Sequence, residues 1–179
     1  MGSCCPTEKN VLTERATDGG LGMRFRLLVA ALLISTPALS DWQYTKWGMS
    51  PDEVIAASKT KLKPCTPAAC KGQSTGRHTA LSFGEYRSGE FTFRLFALFD
   101  NISQKLTVIN LELKDPSQAP SLIGALRGRY GEPVDRSKSP ILSTWIWREP
   151  RTQISLIMIG ETHATLQYSA RMTDSNKGL

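Results

Sequence analysis

Two cysteines, two histidines and a close pair of tryptophans are the side chains of this chain best equipped for chemistry. Cys65 and Cys70 enclose Thr66-Pro67-Ala68-Ala69. A redox-active pair keeps two intervening residues, not four. A zinc site would need further donors, and the two histidines, His78 and His163, stand in no ligand-spaced motif with the cysteines. In an oxidising compartment an even pair at this spacing reads as a structural disulfide. A loop this short limits its contribution to ~2 kcal/mol by chain-entropy arithmetic.

Catalysis finds less support. His78 and His163 have the chemistry of a general base, but neither belongs to a triad that the sequence alone defines. The one G-x-S-x-G match, Gly72-Gln73-Ser74-Thr75-Gly76, lies in a polar linker rather than at the strand-to-helix turn a nucleophile elbow needs, and the chain has no H-E-x-x-H and no phosphate-cradling glycine loop. Asp52 and Glu53 read as first-turn acids favoured by a helix dipole. The expectation is a non-enzymatic binding module with no catalytic residue, cofactor or metal. The alternative is an unrecognised envelope hydrolase, which requires a deep pocket joining His78 or His163 to a carboxylate.

Trp145 and Trp147 are the candidate binding surface. On a strand both point to one face and Ile146 to the other. If the helices of the fold cover the Ile146 side, the tryptophans stand in the open, where they stack on a glycan or anchor a protein partner. If the helices cover the tryptophan side, the pair fills the core. The sequence leaves both arrangements open.

The compartment is written in residues 23–40, MRFRLLVAALLISTPALS. Arg24 and Arg26 form a basic start, Leu27 to Ile34 an apolar run, and Ala38-Leu39-Ser40 a small-residue exit. This is the pattern of a secretory signal peptide cleaved after Ser40. The run is too short to span a bilayer. Residues 1–22 are polar and glycine-rich and read as a disordered or non-translated extension. Periplasmic or secreted localisation follows, with no integral span after cleavage. Removing the first forty residues takes away four basic and three acidic side chains, so the chain's net +6 becomes +5 on 139 residues. The basic residues are scattered singly, which excludes the basic patch of a nucleic-acid binder and leaves an envelope protein or glycan as the expected partner.

These residues must be positioned by one domain of about 41–172, followed by a flexible tail at 173–179. Ser50-Pro51-Asp52-Glu53 is a helix start: Ser50 caps, Pro51 occupies the first turn and Glu53 completes a capping box. That helix is expected to continue to about Lys61. Three strands follow at 78–86, 91–100 and 105–114, the last with a bulge between Val108 and Ile109 where the apolar phase shifts. Asp115-Pro116 opens a second helix with Leu122, Leu126 and Tyr130 on one stripe, stopped by Gly131. After a polar loop at 134–140 come strands at 141–148, 152–159 and 162–170. The expected fold is α+β: a tandem helix plus three-stranded antiparallel meander, αβββαβββ, with half-repeats at about 48–114 and 115–170 and both helices on one face of the sheet.

Trp47-Gly48-Met49-Ser50-Pro51-Asp52-Glu53-Val54, with Leu126, Tyr130-Gly131-Glu132-Pro133 and the Trp147 strand, resembles a group of small secreted bacterial proteins of unknown function. The duplicated helix-and-meander unit resembles the architecture of the β-lactamase inhibitory proteins. A single unit is similar to the small envelope lipoproteins that support outer-membrane protein assembly. What the resemblance implies is a periplasmic binding module acting as an inhibitor or assembly accessory.

Overall fold

A computed structural model describes residues 41–171. The expected extension at 1–22, signal peptide at 23–40 and tail at 173–179 lie outside the described residues.

The first helix, α1 (Pro51–Ala57), forms where its cap dictates. The Ser50 hydroxyl accepts from the Glu53 backbone N–H, and the Glu53 carboxylate accepts from the Ser50 N–H at 2.7 Å. Both partners satisfy donors that a helix start would otherwise leave orphaned. The helix stops at Ser58 rather than near Lys61, because Lys59 and Thr60 adopt positive φ and turn the chain. A short strand β1 (Leu62–Pro64) follows. Next come β2 (His78–Ser88), β3 (Phe91–Asp100) and β4 (Leu106–Leu113). Asp115 caps a 3-10 turn (Pro116–Gln118) that leads into α2 (Ala119–Tyr130), and Gly131, at φ 78°, ends it. The chain closes with β5 (Asp135–Lys138), β6 (Leu142–Arg148), β7 (Thr152–Ile159) and β8 (His163–Ala170).

All eight strands join one antiparallel sheet in the order β1-β2-β3-β4-β8-β7-β6-β5. The αβββαβββ, α+β expectation is therefore overturned: among the described residues the fold is β-rich, a single eight-stranded sheet with two short α-helices. Each half holds one strand more than its sequence pattern displays. Leu62-Lys63-Pro64 is too short to show an alternation. Asp135-Arg136-Ser137-Lys138 is exposed throughout and has no apolar face to show. Both lie at sheet edges, where Pro64 and the charges of β5 discourage pairing with another chain.

One face of the sheet carries the main core. Phe93, Leu95, Ala97 and Phe99 of β3 line up with Ile109 and Leu111 of β4, Leu166 of β8 and Leu156 of β7. Val54 of α1 and Leu122 and Leu126 of α2 bury into this same cluster. The bulge in β4 lies one residue earlier than expected. The register slips between Leu98/Val108 and Phe99/Leu106, so Val108 turns to the opposite face while Leu106 and Ile109 share the main core. A second bulge at Leu81 likewise separates Leu81, packed on the main core, from Phe83 on the opposite face.

Candidate binding surface

The cysteines set the boundary of the surface. Cys65 and Cys70 are bonded, with Cα atoms 5.7 Å apart. The bridge holds the segment between β1 and β2 against the sheet face opposite the helices. There Cys65, Cys70 and Phe83 pack on a small second cluster of Ala80, Phe96, Leu98 and Val108. Polar contacts fasten the same segment. The Gln73 carbonyl accepts from the Ala80 N–H, and its side-chain amide donates to Glu112 at 2.6 Å. Glu112 also accepts from Arg94 across the β3–β4 pair.

Beyond this lobe the same face continues over β8, β7 and β6. Cross-strand partners share a face, so the register defines its rows. Asn110 faces Gln167, which faces Ser155, which faces Ile146. The next row runs Thr165, Ile157 and Thr144, and the last His163, Ile159 and Leu142. Gln167 donates to Asn110 at 2.9 Å, and Gln153 to the Ser155 hydroxyl. Ile146, Ile157, Ile159 and Leu142 belong to neither core cluster. Leu142 is 45% and Ile159 50% exposed, and Ile141 beside them is 72% exposed. The result is an aliphatic strip along the β6–β7 pair, flanked by amides and hydroxyls on β8 and β4.

Trp145 and Trp147 lie on the other side. Trp147 faces Ile154 and Trp145 faces Leu156, both core residues. Trp147 is 2% exposed, and its indole N–H donates to the Gly131 carbonyl at 2.9 Å, tying β6 to the end of α2. Trp145 is half-buried against the same cluster. The tryptophan pair therefore serves the core, and the candidate surface moves to the residues between and around it. Its sequence signal is the complementary phase of the same strands: Leu142, Ile146, Ile157 and Ile159 are apolar where an uncovered face is ordinarily polar.

The two histidines stand at opposite ends of the sheet. His78 opens β2 opposite Asp100. His163 opens β8 near the end of β4, its ring nitrogen 2.9 Å from the Thr162 hydroxyl. His163 shares a surface depression with Glu112, whose carboxylate is engaged by Arg94 and Gln73. No group of three His, Cys, Asp or Glu side chains suited to a metal occurs among the described residues, and none of their helices is long and apolar enough to cross a membrane. Comparison with protein-family models, curated proteins and solved structures finds no match to the chain.

Proposed function

We propose that this protein is a binding module of the periplasm or extracellular space that engages a protein partner through the β6–β8 part of the sheet face opposite the helices. The observation that carries the reading is the aliphatic strip of Leu142, Ile146, Ile157 and Ile159, bordered by Asn110, Gln167 and Ser155 and belonging to neither core cluster. Apolar anchors flanked by hydrogen-bonding groups, here Asn110 and Gln167, suit a protein–protein interface. Aliphatic side chains suit a protein surface better than a glycan, which stacks on aromatic rings. The Cys65–Cys70 bridge and the basic, apolar, small-residue order of residues 23–40 support the extracytoplasmic part of the reading.

The test is capture from envelope extract with tagged residues 41–179, run beside an Ile157→Lys/Ile159→Lys variant. Both positions are partly or well exposed, so the variant should keep its melting temperature and lose the captured partner. Identical capture by both proteins would refute the surface. Hydrolysis of an envelope substrate, abolished by replacing His78 or His163 in a folded protein, would replace the binding reading with an enzymatic one.

A further inference from the structure

A cavity among the described residues lies on the opposite, helix-covered side and takes no part in the surface above. It is a cleft of about 610 Å³ between α2 and the segment at 41–43, within the range that holds small organic ligands. Its floor is apolar, formed by the nearly buried Phe93, Leu111 and Leu166 of the sheet and Leu122 and Leu126 of α2, while its walls are largely polar. Phenols and a guanidinium stand among its polar groups. The Tyr130 and Tyr168 hydroxyls lie 3.4 Å apart, and the Tyr86 hydroxyl accepts from the Gln43 amide at 2.9 Å, leaving its own proton to give. Arg129 stands with its guanidinium 5.3 Å from the centre of the Tyr130 ring, close enough for its charge to act on Tyr168 as well. Burial and the neighbouring Tyr130 push the Tyr168 phenol up, so it remains a neutral donor throughout the physiological range. Two acids also reach the rim. The Asp41 carboxylate is held by the Trp47 N–H at 2.7 Å and by Arg151 at 3.2 Å, and Glu149 is the other.

We propose that this cleft binds a small amphipathic carboxylate, with its apolar body against Phe93, Leu122 and Leu126 and its head accepting from the Tyr130 and Tyr168 hydroxyls and the Arg129 guanidinium. A planar, permanently charged guanidinium beside two phenols matches the acceptor geometry of a carboxylate. The apolar floor supplies affinity in proportion to the hydrocarbon it removes from water.

The experiment titrates the protein, as residues 41–179, with decanoate, decanol and decylamine by calorimetry. One tail with three heads separates the contribution of the floor from that of the donors. Decanoate should bind saturably and more tightly than the other two. Arg129→Gln, at an exposed position, should weaken decanoate about tenfold or more while leaving decanol unchanged, as expected for losing one charge-assisted hydrogen bond. Ala125→Trp, on the exposed lip contributed by α2, should block all three ligands without altering the melting temperature. The proposal fails if decanoate shows no saturable binding, if decylamine binds as well as decanoate, or if Ala125→Trp leaves binding intact in a folded protein.

Discussion

Single residues decide several features of this molecule in ways that measurements can isolate. Gly84 is one. A Cβ there would sit 2.6 Å from the Lys61 carbonyl oxygen and 2.8 Å from the Leu62 side chain, so Gly84→Ala should push β1 away from β2. Overpacking of this kind costs about 1–3 kcal/mol, readable as a lowered denaturant midpoint with exchange protection lost first at Leu62 to Pro64. Asp100 is another. Its carboxylate accepts from the Ser103 and Ile102 N–H groups and pairs with Arg77, and these contacts hold it down from 3.8 to about 2. A carboxyl whose folded value lies below its unfolded one stabilises the fold above the unfolded value and loses that contribution as pH falls through the folded one. The turn at 101–104 should therefore stay ordered down to about pH 3.8 and loosen between there and about 2, seen as collapse of the Ile102 and Ser103 amide shifts. Asp100→Asn should remove that acid transition and leave the rest of the titration unchanged.

Elements formed where local chemistry was strong and escaped notice where it was weak. The cap of α1 was legible because Ser50, Pro51 and Glu53 each carry a separate physical reason to start a helix. Ser50→Ala should cost ~1 kcal/mol in a denaturant melt. The strands from Phe91 and Thr152 were legible because a buried face enforces alternation over eight or more residues. β1 and β5 were not, because their side chains lie largely in solvent at the sheet edges, and edge pairing is dictated by the neighbouring strand rather than by their own pattern. The face of β6 was undecidable for a related reason. Trp145 and Trp147 alternate with Ile146, so both phases are apolar, and only the position of α2 over the sheet selects between them. The covered phase carries Trp147, so Trp147→Ala should cost ~3–5 kcal/mol, a large part of a total of only ~5–15, and far more than Ile146→Ala. The disulfide was legible as chemistry but not as architecture. Its loop covers Phe96, Leu98 and Val108, so Cys65→Ser/Cys70→Ser should leave a folded sheet, destabilised by ~2 kcal/mol, with hydrogen exchange accelerated from 65 to 77.

At the scale of the whole molecule, the strands of the two halves join into one sheet through a single pair, β4 with β8. Each half is a helix followed by four strands that pair in chain order, and the fourth strand of one lies against the fourth strand of the other. The order of elements read from the sequence left each half one strand short, and the way the halves join was not visible at all, because nothing local in Val108 to Glu112 names Thr165 to Ser169 as its partner. That pairing buries Ile109 and Leu111 beside Tyr168 and Leu166. Residues 41–114 produced alone should therefore lack a cooperative melt, and mixing them with residues 115–171 should restore it. The same junction fixes an order in time. Every other strand pair links neighbours in sequence, most over short loops and β1 with β2 over the bridged segment 65–77, whereas β4 must wait for β8. A polypeptide emerging from its N-terminus thus carries an apolar, unpaired edge at β4 through the synthesis of more than fifty further residues, and a chain cut short before His163 keeps that edge permanently. β8 sits at the centre of the finished sheet, so loss of a few of its residues should drive aggregation far more than an equal loss at the Leu62–Pro64 edge.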